Sequence, residues 1–162
     1  MTTSQPYSKF GVLPPATIMQ TDGLTFLRDV IAQKYPAPPF AEVSDIWLIA
    51  AEHGRAMFEG LPGQKFLNPL GTVHGGWIST LLDSAMGCAV HSTLPAGHGY
   101  TTVDMSISFV RAVLPAVGKL TCEGKIIHCG SRIATAEGRV TDAAGKLIAH
   151  GSETCMILTG RH

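Results

Sequence analysis

The segment that most constrains the fold runs from Gly75 to about Ser92 and has the spacing of an α-helix. Apolar side chains lie on nearly all of its faces, at Trp77, Ile78, Leu81, Leu82, Ala85, Met86, Ala89 and Val90. A helix that is apolar all round has to be enclosed by other structure. Asp83 is its only charged residue. A carboxylate at such a place is costly unless it has a partner or a function.

The residues after this helix change to an alternating pattern. Residues 101–113 alternate, with apolar side chains at Val103, Met105, Ile107 and Phe109 on one side, and further strands are predicted at 118–128, 132–142 and 146–158. The last three strands are joined by hairpin-length links, which predicts an antiparallel meander. Because the apolar helix must be buried, we predict an α+β fold in which an antiparallel sheet wraps around a long central helix.

The N-terminal part is predicted to be an extension of this core. Residues 1–20 are predicted to be an irregular arm, and a helix should begin near Asp22 and end by about Tyr35, before three prolines. Two short strands are predicted at 43–51 and 54–60. The N-terminal helix can either cover a pocket or pad the sheet.

Composition limits the possible functions. The chain has 162 residues, enough for one domain, and only 15% are charged. Ordinary soluble domains carry about 25% charged residues, so we expect an oligomer that buries additional surface. A formal net charge of +0 argues against nucleic acid as a partner. No apolar run reaches the roughly 18 residues of a membrane helix, and no secretory signal pattern is present, so we expect a cytoplasmic protein.

Four cysteines, at positions 88, 122, 129 and 155, lack the spacing of metal ligands. They are predicted to be buried, reduced thiols, with a disulfide or a catalytic cysteine as the alternative.

A motif opens the apolar helix. Asn68 lies six residues before His74, which Gly75 and Gly76 follow, and Asp83 lies nine residues after the histidine. Together with the predicted architecture, this motif resembles the hotdog-fold thioesterases of the PaaI type over residues 43–158. The resemblance implies hydrolysis of acyl-CoA thioesters without a metal or a cofactor. It divides the chain into an N-terminal arm and helix, 1–40, and a hotdog domain, 41–160.

Two residues of the motif suit thioester hydrolysis. The backbone N–H of Gly75 at the helix start can polarise the thioester carbonyl, and glycine lets the substrate approach closely. The alternative is that Gly75 and Gly76 only permit a tight turn. Asp83 is the candidate general base, or a nucleophile that forms an anhydride. The alternative for Asp83 is a structural carboxylate bonded to the backbone or to Ser84.

The resemblance implies roles for three more residues. Asn68 helps to hold the loop or the carbonyl, His74 lies close to the leaving thiol, and Thr102 orients the water. Each also has a structural interpretation, as a loop asparagine, a helix cap and an ordinary strand threonine.

Helix geometry adds a constraint of its own. Eight residues separate Gly75 from Asp83, which corresponds to about 12 Å along a helix. A polarising N–H and an attacking water must both lie about 3 Å from one carbonyl. If both residues act, the site is shared, with Asn68, His74 and Gly75 from one subunit and Asp83 and Thr102 from another. Hotdog relatives build sites at dimer interfaces and often form dimers of dimers, which are homotetramers.

The phosphates of CoA need a cationic, partly exposed contact. Relatives often place it near the hairpin at Gly130, Ser131 and Arg132, and Arg111 and Arg139 are rival candidates. An exposed turn arginine that only aids solubility is the alternative.

Two other functions compete with thioester hydrolysis. The first is a non-catalytic acyl-CoA sensor, although the roughly 40 residues before the first strand are too few and not basic enough for a DNA-binding domain. The second is a hotdog hydratase or dehydratase, whose usual motif differs from the sequence around His74.

Overall fold

The computed structural model describes residues 5–159 and has one long helix enclosed by a single antiparallel sheet. The helices are α1 (Pro15–Ile18), α2 (Gly23–Ile31), α3 (Pro39–Ser44) and α4 (Gly75–His91). The strands are β1 (Ile46–Glu52), β2 (Arg55–Gly60), β3 (His98–Phe109), β4 (Leu120–Cys129), β5 (Ile133–Thr141) and β6 (Leu147–Thr159). The predicted α+β architecture is confirmed.

The strand order is β1-β2-β4-β5-β6-β3, so the predicted meander is confirmed for β4, β5 and β6, whereas β3 does not precede β4 in it and lies beside β6. β3 pairs with β6 over its whole length, from His98 opposite Thr159 to Phe109 opposite Ala149. The connection from β3 to β4 spans residues 110–119 and contains a short 3₁₀ turn, Pro115–Val117. This length lets the chain cross the sheet instead of turning back in a hairpin. β1 and β3 are therefore the two edge strands.

Two glycines on the inner face of the sheet allow α4 to lie directly on it. A Cβ at Gly124 of β4 would come within 2.2 Å of the Ala85 carbonyl oxygen, and one at Gly138 of β5 within 2.9 Å of the Leu82 and Met86 side chains. Leu81, Leu82 and Met86 of α4 are completely buried. At Gly124 the helix backbone thus lies directly against the strand, and at Gly138 the side chains of Leu82 and Met86 fill the place of a Cβ.

The N-terminal segment contains more helix than the sequence pattern predicts. Residues 39–44 form α3, so a strand beginning at residue 43 is wrong, and β1 begins at Ile46. Pro39 at the first helical position favours the helix, and Asp45 in the left-handed region ends it. α2 begins after its predicted cap Asp22, whose Oδ1 accepts the Thr25 N–H at 2.9 Å. It ends at Ile31 and not at Tyr35, because Gln33 has a φ of 56°.

The N-terminal arm packs on the sheet through a second apolar cluster, which consists of Tyr7, Val30, Ala37, Ala41 and Trp47. The hydroxyl of Tyr7 donates to the Leu48 carbonyl at 2.6 Å. The division at residues 40 and 41 falls inside α3 and stays a prediction. Residues 1–4 and 160 of the two ranges lie outside the described residues.

All four cysteines are free thiols. Cys122 and Cys155 are buried as predicted and Cys88 is half-buried, but Cys129 is exposed at the end of β4, so the prediction is wrong for that thiol. None of the helices within residues 5–159 combines the length and the apolar character that a membrane crossing needs.

We predict that Gly124→Ala lowers the free energy of unfolding by about 1–3 kcal/mol or more, because the added methyl overlaps the α4 backbone. Gly99→Ala on β3 is the matched control, since a Cβ there meets nothing within 4 Å among the described residues. Urea denaturation of both variants measures the difference. Equal stability of the two variants would contradict the close contact between β4 and α4.

Candidate active site

Asn68 closes the loop that leads into α4. Its Oδ1 accepts the backbone N–H groups of Leu70 and Thr72, at 2.9 and 3.2 Å, and its Nδ2 donates to Thr72 Oγ1 at 2.8 Å. A backbone bridge between Leu67 and Val73 completes the loop. The side chain of Asn68 therefore fixes the backbone immediately before the motif histidine.

His74 caps the N-terminus of α4. Its Nδ1 accepts the Gly76 N–H at 2.9 Å, which satisfies one of the donors that a helix start leaves unpaired. A neutral ring that accepts at Nδ1 carries its proton on Nε2, so Nε2 is the nitrogen that can donate to a ligand. The predicted capping geometry is thus present, and it leaves one ring nitrogen for chemistry.

Gly75 is the first residue of α4, and its N–H makes no hydrogen bond within residues 5–159. It lines a cavity of about 280 Å³ together with Phe109 and Arg111. A Cβ at this position would lie 3.3 Å from the Phe109 ring. The geometry therefore supplies an available donor at the positive end of a helix, beside an exposed arginine.

Asp83 meets Thr102 where α4 faces β3. Thr102 Oγ1 lies 3.2 Å from Asp83 Oδ1 and 2.8 Å from Glu153 Oε1. Asp83 and Thr102 are half-buried, whereas Glu153 on β6 is 1% exposed. The structure thus brings together two of the predicted residues and adds a second carboxyl group.

Glu153 is the residue that the sequence interpretation missed. Cys155 Sγ contacts the same Oε1 at 2.9 Å, and Oε2 is buried without a hydrogen-bond partner among residues 5–159. Burial is the main cause that raises the pKa of Glu153 above its ordinary value, and the nearby Asp83 raises it further. The sequence signal was a charged residue in phase with the apolar Cys155 and Ile157 on an alternating strand.

The two ends of the motif remain apart within one chain. Gly75 begins α4 and Asp83 lies eight residues further along the same helix, as predicted. The hairpin with Gly130, Ser131 and Arg132 is not brought to Gly75 either, because Thr93, beyond the other end of α4, contacts Cys129 at 3.4 Å. Arg139 is exposed on β5. Of the predicted phosphate contacts, only Arg111 lines the cavity beside Gly75.

An apolar cavity of about 330 Å³ lies beneath the N-terminal arm. The arm, α2 and α3 form one side, and β1 and the later part of α4 form the other. Its few polar groups include Ser84, His91 and Tyr100, and Ser84 directly follows Asp83 in α4. The N-terminal helix therefore covers a cavity as well as padding the sheet.

The thiol and phenol beside the carboxyl cluster are held neutral. Burial raises the pKa of Cys88 to about 12 and the pKa of Tyr100 well above its ordinary value. Neither is poised to act as a thiolate or phenolate at neutral pH. Within the described part of the chain, no three His, Cys, Asp or Glu side chains are grouped to hold a metal ion.

The sheet wrapped around α4, with the motif at the helix start, defines the class of hotdog-fold proteins. The sequence profile of the thioesterase superfamily matches residues 70–149. Acyl-coenzyme A thioesterase 13 of Mus musculus is 32% identical over 132 residues, which cover 79% of this chain and 91% of that protein. The chain belongs to the thioesterase superfamily, and its enzyme class is thioester hydrolase. The predicted resemblance to hotdog-fold thioesterases of the PaaI type is confirmed.

Other similar proteins differ in their sequence identity to this chain and in how much of it they cover. A relative from Halobacterium salinarum is 35% identical over 88 residues, and the chain spans only 56% of its length. A phenylacetic acid degradation-related protein of Ralstonia eutropha has a TM-score of 0.74 at 26% identity and covers 81% of this chain and 98% of its own. A Streptococcus mutans structure bound to acetyl-CoA has a TM-score of 0.65 at 25% identity and covers 72% of this chain and 91% of its own.

We predict that His74→Ala lowers the free energy of unfolding by about 1 kcal/mol, because it removes the cap on Gly76 N–H. His74→Asn should restore the stability, since a short amide side chain also caps a helix. Urea denaturation measures stability, and thiol release measures activity. If His74→Asn is stable but slow, Nε2 serves the reaction. If both variants are as stable as the wild type, the cap contributes nothing.

Proposed function

We propose that the chain hydrolyses acyl-CoA thioesters at a site that two subunits share. Asp83 of one subunit activates the water, or attacks as a nucleophile, and the Gly75 N–H of the partner subunit polarises the carbonyl. The observation that carries the proposal is the placement of both groups on α4: an available N–H at its start and a half-buried carboxylate eight residues later. Their separation excludes one helix from supplying both groups to one carbonyl.

The free edge of β3 supports association of two subunits. β3 is a strand of 12 residues, and its outer edge has no pairing strand within residues 5–159. Val103 and Phe109 on this strand are each 53% exposed. A long edge strand with exposed apolar side chains is a template for pairing with another chain. Because Thr102 and Phe109 both lie on β3, an interface there would lie next to both halves of the site.

The apolar cavity beneath the N-terminal arm fits an aliphatic or aromatic acyl group. It lies beside Ser84, and hence one residue from Asp83 along α4. Ligand pockets of this kind are mostly apolar with a few polar groups. An acyl group in this cavity would leave its thioester near Asp83 and direct the CoA moiety towards the surface.

Binding of the CoA moiety has a precedent, because the structural relative from Streptococcus mutans is bound to acetyl-CoA. Arg111 beside Gly75 and the hairpin of Gly130, Ser131 and Arg132 are the two candidate phosphate contacts. In a shared site, the hairpin would come from the subunit that supplies Asp83, because Cys129 beside the hairpin contacts Thr93, beyond the end of α4 that lies opposite Gly75.

We expect Asp83→Asn to lower kcat for acyl-CoA hydrolysis by about 10²-fold or more, because the water loses its base. Gly75→Pro should be similarly slow, since proline at the first helical position removes the N–H and fits the helix. When the two inactive variants are mixed under exchange conditions, about a quarter of wild-type activity should return, because half of the dimers then hold one intact site. Release of CoA thiol measures turnover.

A matched control distinguishes a loss of catalysis from a loss of folding. Asp104→Asn alters an exposed carboxylate on β3 and should retain most activity. Circular dichroism checks that each variant is folded. Verified mixed dimers that stay inactive would exclude the shared site. Binding of CoA without turnover of any acyl-CoA by the wild type would favour a sensor, and hydration of crotonyl-CoA would favour a hydratase.

A substitution that fills the apolar cavity should change the acyl-chain preference. Gly11 lines the cavity, and a Cβ there makes only an ordinary contact with Pro36 at 3.6 Å. Gly11→Leu should lower kcat/KM for long-chain acyl-CoA by about tenfold and leave acetyl-CoA unchanged, because each methylene contributes to discrimination in an apolar pocket. Gly63→Leu, which lies outside the cavity, is the control. An equal effect on both substrates would contradict acyl binding there.

A further inference from the structure

One hydroxyl group lies between two carboxyl groups in the cluster of Asp83, Thr102 and Glu153. Thr102 Oγ1 is 3.2 Å from Asp83 Oδ1 and 2.8 Å from Glu153 Oε1. A threonine hydroxyl has one proton to donate, whereas an ionised carboxylate only accepts. Two ionised carboxylates cannot both be hydrogen-bonded to it, so one of these contacts needs a proton from the acid.

The surroundings of Glu153 indicate which acid keeps the proton. Its side chain is 1% exposed, while Asp83 is half-buried. The titratable groups that face it are Asp83 and Cys88 from α4, Tyr100 from β3, and Cys155 beside it on β6. Neither Asp83 nor Glu153 forms an ion pair within the described residues. An unpaired buried charge is costly, so the more buried acid is the one that is neutral.

The unpaired oxygen of Glu153 leads to the same assignment. Oε2 is buried without a partner in the described part of the chain, and Oε1 takes both the Thr102 and the Cys155 contacts. An ionised carboxylate would leave half of its charge on an oxygen that nothing solvates. A neutral acid with its proton on Oε1 leaves only a carbonyl oxygen there, which costs much less.

We propose that Glu153 is held as the neutral acid and positions Asp83, by donating to Thr102 Oγ1 so that the Thr102 hydroxyl donates to Asp83 Oδ1. This inference rests on the proposed role of Asp83 as the group that activates water. Every donor among the three hydrogen-bonded groups Glu153, Thr102 and Asp83 then has an acceptor. Asp83 keeps its charge and its second oxygen for the water. Glu153 is a positioning residue that acts through Thr102.

The position of the proton can be tested without any measurement of activity. Infrared spectroscopy at neutral pH should detect the carbonyl band of a protonated carboxylic acid in the wild type. Glu153→Gln should abolish the band and Asp83→Asn should retain it. If the band is absent from the wild type, or if Asp83→Asn abolishes it and Glu153→Gln does not, the proposal is wrong.

Kinetics test the positioning. Glu153→Gln should keep kcat close to that of the wild type, because its amide also donates to Thr102. Glu153→Leu should lower kcat by about 10²-fold, because Asp83 loses its orientation. Thr102→Val should cause a similar loss. The double variant with Glu153→Leu and Thr102→Val should lose little more, since both substitutions break the same series of hydrogen bonds. Additive losses in the double variant, or a Glu153→Gln variant as slow as Glu153→Leu, would overturn the proposal.

The pH dependence supplies a further check. Because the pKa of Glu153 is raised in the folded protein, its proton is lost as the pH rises through that raised value. Ionisation places two negative charges on one hydroxyl, so kcat should fall as the pH rises through the raised value. The free energy of unfolding should fall as the pH rises from the ordinary pKa of glutamate to the raised one, because in that window only the unfolded state has lost the proton. Glu153→Gln should remove both declines. Identical pH profiles for the two proteins would contradict a neutral Glu153. If Asp83→Asn remains active, the proposed function fails while the infrared result still stands.

Discussion

The close contact between α4 and its surrounding sheet sets the geometry of the site. Gly87 on α4 lets Tyr100 of β3 lie against the helix, since a Cβ at Gly87 would be 2.6 Å from the Tyr100 hydroxyl oxygen. Tyr100 precedes Thr102 by two residues on the same strand, and Gly87 follows Asp83 by one helical turn. This contact therefore sets the position along the α4 axis at which Thr102 contacts Asp83. Gly124 of β4 brings the sheet against the α4 backbone, and Gly138 of β5 leaves room for the Leu82 and Met86 side chains.

Local patterns predicted the elements of the fold, but not how all of them pair. The apolar periodicity of residues 75–92 identified α4, and the side chain of Asp22 marked the start of α2. The position of β3 beside β6 depends on contacts between residues about 50 apart, which alternation cannot reveal. The segment at 39–44 was also ambiguous. Phe40 and Val43 are typical of a strand, whereas prolines at the first helical position favour a helix only when the following turn is stabilised by packing.

The motif predicted one end of the site better than the other. Asn68, His74 and Gly75 are neighbours in sequence, so their arrangement at the start of α4 follows from local rules of capping and turns. Glu153 was hidden because the alternation of β6 changes phase. Ile148 is buried out of phase with Ala149, Glu153, Cys155 and Ile157, which are all buried on one face of the strand. An alternation counted from Ile148 places Glu153 on the outer face, where a charged residue is unremarkable.

The energetics of the cluster argue for a functional reason to keep two acids there. A leucine at position 153 would bury apolar surface and leave no unpaired oxygen, so it would stabilise the core more than an acid. A valine at position 102 would fit a strand equally well but would leave Asp83 without the Thr102 donor and the proton of Glu153 without the Thr102 acceptor. The carboxyl groups, joined through one hydroxyl, are therefore an arrangement that costs stability and controls the orientation of Asp83. Stability alone would favour apolar side chains at both positions, and orientation of a charged oxygen towards a water requires the polar ones.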